Sequence, residues 1–323
     1  MRSAGIHHIT AIAGDPQRNL DFYTETLGLR LVKRTVNFDD PGSYHFYFGD
    51  NIGSPGTIIT FFPWPGARRG ARGSGQVTTV SFAVPHNSIA FWKERLRANH
   101  VIAEEIAGRF GNVALRFLDP DGLQLELVVI PSDVEGSRGS YLKGSAAGSF
   151  DSAQDDRIRG FAAPTLEVRR PNQTEKLLTE ILGFEFVGEE NNRRRFRGSC
   201  SDASSEIDLV SSEAGFGQIA VGTVHHIAFR AADDDEQLKV REQLVARGLS
   251  VTPVIDRQYF HSIYFREPNG ILFEIATDGP GFLIDEPADS LGETLKLPPV
   301  YESKREEIER VLPTIHLHHS AAS

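Results

Sequence analysis

A pattern of strand, helix and three further strand-like segments recurs four times along the chain, and this repetition limits the fold more than any single segment does. The first copy begins at residues 5–13, where a weakly alternating stretch precedes Gly14-Asp15-Pro16, a typical helix start. The copies follow one another at intervals of roughly 50 to 75 residues, which is typical of a protein built from a repeated supersecondary unit. We therefore predict four βαβββ units.

The four units divide the chain into two predicted halves. Residues 1–131 hold units one and two, and residues 159–280 hold units three and four. Residues 132–158 are rich in Ser, Gly and Asp, a composition typical of a linker, and residues 281–323 form a C-terminal tail with one predicted helix. The expected architecture is α+β, with four βαβββ units forming two mixed-sheet, barrel-like domains.

Composition and charge exclude several classes of protein. Cys200 is the single cysteine, which rules out an internal disulfide framework and any multi-cysteine metal site. The formal net charge of −10 argues against a general nucleic-acid-binding surface, and we interpret the basic run Arg193-Arg194-Arg195 as a solvated loop. No apolar run is long enough to span a membrane and no signal peptide is present, so we expect a cytoplasmic protein without membrane partners. The sequence leaves the oligomeric state open, a homo-oligomer included.

A pair of neighbouring histidines opens the first strand of two of the four units. The pairs are His7-His8 in unit one and His225-His226 in unit four, whereas the position of the second histidine is taken by Thr79 in unit two and by Thr165 in unit three. Neighbouring side chains of a strand point to opposite faces, so we expect one imidazole of each pair to enter a shared pocket. Such a pocket would hold two nitrogen ligands.

Glu274 is the carboxylate that would complete a metal site with the two histidines. The turn before it, Glu267-Pro268-Asn269-Gly270, matches Asp119-Pro120-Asp121-Gly122 of unit two, which aligns Glu274 with Glu126. A buried carboxylate needs a cation or several donors. Two neutral imidazoles and one carboxylate form the ligand set that non-haem Fe(II) oxygenases prefer. The three side chains converge only if units one and four pack together; otherwise the histidines are ordinary core residues.

Three segments give the chain a resemblance to a known family: residues 5–10, residues 224–229, and residues 256–278. They resemble the vicinal oxygen chelate superfamily, which includes glyoxalases, bleomycin-resistance proteins and extradiol dioxygenases. Within that superfamily, the group of hydroquinone ring-cleaving dioxygenases matches better than the others. The resemblance covers nearly the whole chain and implies a glyoxalase-like fold.

The resemblance implies a metal centre and residues that surround it. The implied metal is iron(II), Fe²⁺, which His8, His226 and Glu274 would hold, although Mn²⁺ accepts the same ligands. The resemblance also assigns roles near the metal and the substrate to five further residues, namely His7, Thr10, His225, Arg257 and Tyr264.

The implied activity is that of a ring-cleaving dioxygenase, which opens an aromatic diol with O₂ and incorporates both oxygen atoms. The aromatic diol, expected to be a hydroquinone with or without substituents, and O₂ are then the partners. Three alternatives remain open. They are an extradiol catechol dioxygenase, a glyoxalase-like isomerase or lyase with a fourth protein ligand from unit one, and a metal-free protein that binds small molecules on the same fold.

Three expectations concern the surroundings of the site. Simple alternation turns His7 and His225 away from the metal, and only strand twist or a β-bulge would bring them round. Arg257 has Asp256 and Glu267 as surface ion-pair candidates, a contact of little energetic value. Trp64, between two prolines, is expected to pack rather than to line a substrate pocket.

Overall fold

The computed structural model describes residues 5–107, 109–130, 156–199 and 205–317. Of the predicted linker 132–158, only residues 156–158 fall within these ranges, so the linker prediction lies almost wholly outside the described residues. None of the helices in the described ranges is long and apolar enough to cross a membrane.

The first unit shows how local sequence sets the elements. The side chain of Asp15 accepts a hydrogen bond from the backbone N–H of Arg18 and caps the helix, and Pro16 takes the first helical position, as predicted. The helix continues as a π-helical turn over Phe22–Thr26. Gly28 then adopts a φ of +70° and lets the chain turn into the next strand. Unit one contains β1 (Ile6–Ala13), α1 (Pro16–Asp21), β2 (Arg30–Asn37), β3 (Asp40–Gly49) and β4 (Ile58–Pro63).

Units two and three repeat this order of elements. The basic run at residues 193–195 was expected to be a loop, and that expectation is wrong, because the run lies in a strand. Unit two contains β5 (Gln76–Val84), α2 (Ile89–Ala98), β6 (Glu104–Ile106), β7 (Ala114–Leu118) and β8 (Gln124–Val129). Unit three contains β9 (Thr165–Val168), α3 (Pro171–Glu180), β10 (Glu185–Glu190), β11 (Arg193–Arg197) and β12 (Glu206–Ser211).

Unit four completes the set and is followed by the tail. Its helix begins after Asp233, whose side chain accepts from the backbone N–H of Glu236. Unit four contains β13 (Thr223–Ala231), α4 (Asp234–Ala246), β14 (Ile255–Asp256), β15 (Phe260–Arg266) and β16 (Leu272–Pro280), and the tail carries α5 (Arg305–Val311).

The units form two eight-stranded mixed sheets, and each sheet combines one unit from the first half of the chain with one unit from the second half. One sheet has the order β14-β15-β16-β13-β1-β4-β3-β2 and joins unit one to unit four; we call it the first sheet. The second sheet has the order β10-β11-β12-β9-β5-β8-β7-β6 and joins unit two to unit three. Each sheet therefore takes one unit from residues 1–131 and one from residues 159–280, and those segment boundaries stay a prediction.

The centre of each sheet is an antiparallel pair of first strands. Strand β1 pairs with β13, and β5 pairs with β9. One large apolar cluster joins buried residues of all four units, so the two sheets share a core. The pairing of β1 with β13 is the condition that the predicted metal ligands required, because it brings units one and four together.

Candidate metal centre

His8, His226 and Glu274 meet on the adjacent strands β1, β13 and β16. The two Nε2 atoms lie 3.3 Å apart, and Glu274 Oε2 lies 3.3 Å from that of His8 and 2.9 Å from that of His226. All three side chains are buried. Among the residues that the structure describes, this is the one cluster of three His, Cys, Asp or Glu side chains whose ligand atoms converge.

Two β-bulges explain why both members of each histidine pair belong to the site. In the ladder between β1 and β13, His7 is an extra residue on β1 and His225 is an extra residue on β13. A bulge changes the direction of the side chain at the extra residue. His7 Nδ1 therefore lies 2.9 Å from His8 Nδ1, and His225 Nδ1 lies 2.8 Å from His226 Nδ1.

These contacts hold the rings of His8 and His226 at Nδ1, with the Nε2 atoms turned toward Glu274. The ring of His7 contacts His8 through Nδ1 and packs edge-on against Phe260, with ring centroids 5.0 Å apart. A neutral His8 that donates from Nδ1 to His7 presents the lone pair of its Nε2 on the side of Glu274. Burial lowers the pKa of His7 well below its usual value, which keeps that ring neutral.

The arrangement at Glu274 fits a cation. Its Oε1 accepts a hydrogen bond from Ser262 at 2.5 Å, whereas its buried Oε2 has no hydrogen-bond partner among the residues that the structure describes. Burial alone would raise the pKa of Glu274, but the neighbouring rings of His8 and His226 hold it well below the usual value. The Nε2 atoms of His8 and His226 and the Oε2 of Glu274 converge on one point, and two imidazole nitrogens with one carboxylate oxygen could hold a metal ion.

The centre opens into a cavity of about 330 Å³ with aromatic walls. Trp64 lines this cavity and stacks on Phe62, with ring centroids 6.4 Å apart and an angle of 11° between the planes. Trp64 therefore packs, as expected, and also lines the cavity. Phe260 forms another wall, 5.1 Å from the ring of His8. The volume lies near the lower end of the range for small-molecule sites.

Arg257 and Tyr264 form a polar pair on one side of the cavity. The Nε of Arg257 donates to the hydroxyl oxygen of Tyr264 at 3.2 Å, and the Tyr264 ring lies 5.8 Å from that of His226. The ion-pair partner of Arg257 is Asp39, at 3.1 Å, and not Asp256 or Glu267 as the sequence suggested. Asp39 is remote in sequence, so local spacing could not reveal it.

A second polar group, which the sequence analysis missed, enters the cavity from unit one. His45 lies within hydrogen-bond distance of Thr60 Oγ1 through Nε2 (2.8 Å) and of the Tyr47 hydroxyl through Nδ1 (2.9 Å). Thr60 in turn bonds Thr10, one of the predicted residues, at 2.8 Å. Burial lowers the pKa of His45 well below its usual value. The available signal was the period-two spacing of His45 and Tyr47 on β3.

In the second sheet, guanidinium groups rather than histidines contact the carboxylates that are equivalent to Glu274. Glu126 accepts from Arg109 and Arg116, and Asp208 accepts from Arg195, which is buried. The equivalent of Glu274 in unit two is thus neutralised by protein side chains.

The strand register also corrects one alignment. Glu274 pairs with Ala228, two residues after His226, and Asp208 pairs with Thr165. The equivalent of the metal-binding histidine in unit three is therefore residue 163, an alanine, and not Thr165.

The sequence matches the family described as the Glyoxalase/Bleomycin resistance protein/Dioxygenase superfamily over residues 5–127 and 161–275. The chain belongs to this superfamily, which confirms the predicted family and its α+β, glyoxalase-like fold. The two matched segments contain all eight residues that the sequence analysis assigned to the site.

Individual relatives indicate which enzyme class within the superfamily the chain resembles. The chain is 50% identical to "Putative ring-cleaving dioxygenase MhqO" of Bacillus subtilis, over 96% of this chain and 96% of that protein. It is 33% identical to the "Chlorohydroquinone/hydroquinone 1,2-dioxygenase" of Sphingobium indicum, again over 96% of each chain. A crystal structure of a "putative dioxygenase" from Bacillus subtilis superposes with a TM-score of 0.90 at 48% identity, covering 98% of this chain and 99% of that one. These relatives support the prediction of an enzyme with dioxygenase activity.

Proposed function

We propose that the protein is a non-haem Fe(II)-dependent ring-cleaving dioxygenase that opens a hydroquinone, with or without ring substituents, by reaction with O₂. The observation that carries the proposal is the convergence of His8, His226 and Glu274 on one point beside an aromatic-walled cavity. The relative named for chlorohydroquinone and hydroquinone supports the choice of a para-diol. Iron rather than manganese is our choice, because the ligand set is the one that Fe(II) oxygenases prefer.

The proposed ligands are the Nε2 atoms of His8 and His226 and the carboxylate of Glu274. When bound, the ion would supply a Lewis acid that lowers the pKa of a coordinated hydroxyl and a redox centre for the reaction with O₂. His7 and His225 hold the ligand rings through their Nδ1 contacts and keep both Nε2 lone pairs directed at the site.

Arg257 and Tyr264 bind and orient the substrate in this proposal. Burial raises the pKa of Tyr264, so its hydroxyl keeps its proton and donates a hydrogen bond to a substrate oxygen. Arg257 stays charged and stabilises negative charge that develops on the ring oxygens. The aromatic walls at Phe62, Trp64 and Phe260 orient a flat ring and exclude water from it.

Thr60 counts against the isomerase alternative. A glyoxalase-like isomerase or lyase was expected to present a fourth protein ligand from unit one. Thr60 occupies the position in unit one that Glu274 occupies in unit four, and its hydroxyl is engaged by Thr10 and His45. A site with three protein ligands leaves room for both a diol and O₂.

Oxygen consumption tests the proposed function. The protein is loaded with Fe²⁺ under anaerobic conditions and then given O₂ with hydroquinone or with catechol. We expect O₂ uptake with hydroquinone that depends on the metal and exceeds the uptake with catechol. Faster uptake with catechol would instead favour the extradiol alternative, and no uptake with either diol would overturn the dioxygenase proposal. Loading with Mn²⁺ in parallel tests the choice of metal.

The partners and the location of the protein remain predictions. The aromatic diol and O₂ follow from the proposed activity, whereas the cytoplasmic location and the lack of nucleic-acid or membrane partners are expected from the sequence.

A further inference from the structure

Tyr47 in unit one occupies the position that Tyr264 occupies in unit four. Across the β3–β4 ladder Tyr47 pairs with Thr60, and across the β15–β16 ladder Tyr264 pairs with Glu274. Thr60 and Glu274 are themselves equivalent. Each pairs with the residue two positions after the second histidine of its unit, which is Thr10 for Thr60 and Ala228 for Glu274. The first sheet therefore carries two equivalent tyrosines, one in each of its units.

Both tyrosines line the cavity, on different sides of His8 and His226. The Tyr264 ring lies 5.8 Å from that of His226. The Tyr47 ring lies 6.5 Å from that of Phe260, which in turn lies 5.1 Å from the ring of His8. Both tyrosines can therefore contact one small ligand in the cavity.

Each tyrosine is held by a different nitrogen group. The guanidinium of Arg257 bonds Tyr264, and the imidazole of His45 lies 2.9 Å from the hydroxyl of Tyr47. His45 is itself fixed, because its second nitrogen bonds Thr60 at 2.8 Å. A residue locked from both sides orients its neighbour better than a mobile one does.

The hydroxyl of Tyr47 keeps one hydrogen-bonding function for a ligand. A phenol hydroxyl both donates and accepts. If His45 donates from Nδ1, the proton of Tyr47 is available to the cavity; if Tyr47 donates to His45, its oxygen lone pairs are available. Within the described ranges Tyr47 has His45 as its hydrogen-bond partner and no other.

We propose that Tyr47, oriented by His45, binds the second hydroxyl group of the aromatic diol, the one that is not at the metal. This inference rests on the proposed function and adds the group that distinguishes a diol from a simple phenol. Tyr47 is then a substrate-binding residue, and His45 is a positioning residue that acts through it. The two tyrosines face the cavity from different sides of His8 and His226. This arrangement suits a substrate whose hydroxyl groups are well separated on the ring, as in a para-diol.

Ligand binding in the absence of O₂ tests the proposal without turnover. The metal-loaded protein is titrated anaerobically with hydroquinone and with phenol, and binding is followed by tryptophan fluorescence, to which Trp64 in the cavity wall contributes. Phenol lacks the second hydroxyl. We expect Tyr47→Phe to weaken hydroquinone binding about tenfold, the loss of roughly one hydrogen bond, and to leave phenol binding unchanged.

Two further variants separate positioning from structure. His45→Phe keeps a flat ring against Phe62 but removes both hydrogen bonds, and we expect the same selective loss for hydroquinone. The double variant should bind hydroquinone no more weakly than Tyr47→Phe does, because both changes remove one interaction. Tyr44→Phe is the matched control. Tyr44 lies on the same strand but donates to the carbonyl of Pro313, so this variant should change the binding of neither hydroquinone nor phenol.

The outcomes distinguish this inference from the function on which it rests. Failure of the unaltered protein to bind hydroquinone would overturn both. Normal binding by the unaltered protein, with Tyr47→Phe unchanged or weakened equally for phenol, would overturn only the role of Tyr47. Additive losses in the double variant would overturn the positioning role of His45.

Discussion

Thr60 and Glu274 occupy equivalent positions on β4 and β16, and only Glu274 presents a carboxylate to the histidines. Thr60 pairs with Thr10 in a parallel ladder, as Glu274 pairs with Ala228. The two units of the first sheet therefore contribute unequally to the centre. Unit one supplies one imidazole and a hydroxyl that is already bonded, whereas unit four supplies an imidazole and the anion.

Replacing Glu274 by Gln should weaken metal binding and remove most of the bound metal. The change removes the one anionic donor of the cluster and keeps the size of the side chain. We expect metal affinity to fall at least about tenfold, since changes outside the ligand set already cost about 10- to 100-fold in other metalloproteins. Metal content after reconstitution and dialysis measures the effect.

Glu126→Gln is the matched control, because Glu126 is the counterpart of Glu274 in unit two. Glu126 is bonded to Arg109 and Arg116 and lies in the second sheet. We expect this variant to lower the free energy of unfolding but to leave one metal ion per folded chain. Equal loss of metal in both variants would contradict the assignment of the site to the first sheet.

The bulged histidines should control metal affinity without binding the metal. His7→Phe or His225→Phe removes the acceptor for the Nδ1 proton of the ligand next to it, and we expect about 10- to 100-fold weaker metal binding. His261→Phe is the control, since that histidine pairs with Asp234 outside the cavity. Competition with a metal chelator reads out the affinity. A site as tight as that of the unaltered protein in both variants would show that the Nδ1 contacts are incidental.

The repeat and the three candidate ligands could be predicted because they depend on local patterns. Strand periodicity, the capping residue Asp15 and the matched turns before Glu126 and Glu274 are all readable within a few residues. Aligning the units then exposed His8 and His226 as the unusual positions. The pairing of β1 with β13 could only be stated as a condition, since strand order is set by long-range packing.

The cavity walls could not be predicted from such patterns. His45 and Tyr47 belong to a strand whose alternation looks like that of any half-buried strand, and only the fold turns that face toward the centre. Arg195 was misjudged for a related reason. A basic run reads as solvated until the fold supplies a buried partner, here Asp208. The bulges at His7 and His225 likewise have no sequence signal of their own.

The stability of the protein should fall as pH rises through the range in which Asp119 titrates. Burial raises the pKa of Asp119 from 3.8 to about 7, although it accepts hydrogen bonds from two backbone N–H groups and from Tyr23. Between these values the folded protein holds a proton that the unfolded chain has lost. The free energy of unfolding therefore decreases with rising pH, by up to about 1.4 kcal/mol per pH unit.

Asp119→Asn isolates this contribution, because the amide oxygen can still accept from the backbone and the side chain no longer titrates. Urea unfolding of both proteins at several pH values between about 4 and 8 gives the difference in free energy of unfolding. We expect the variant to gain stability relative to the unaltered protein as pH rises. Parallel stability curves would show that Asp119 keeps an ordinary pKa.

Lys33 should anchor the C-terminal tail to the first sheet. Its ammonium group has no exposed surface and bonds Asp285, at 2.6 Å, and Glu286. Lys33→Met keeps most of the side-chain volume but leaves two carboxylates without their cation, one of them buried, and breaking a buried pair costs about 3 to 5 kcal/mol. We expect a loss of that size in the free energy of unfolding.

A second change tests whether the loss at Lys33 comes from the stranded charge. Adding Glu286→Gln to Lys33→Met removes the buried carboxylate, and we expect the double variant to recover part of the lost stability. Arg97→Met is the control for an exposed ion pair, here with Glu94, and should cost less than about 1 kcal/mol. Urea unfolding measures all four proteins. A Lys33→Met variant as stable as the exposed control would mean that the tail is held by its apolar contacts, such as those of Phe282 and Leu291, rather than by the ion pairs.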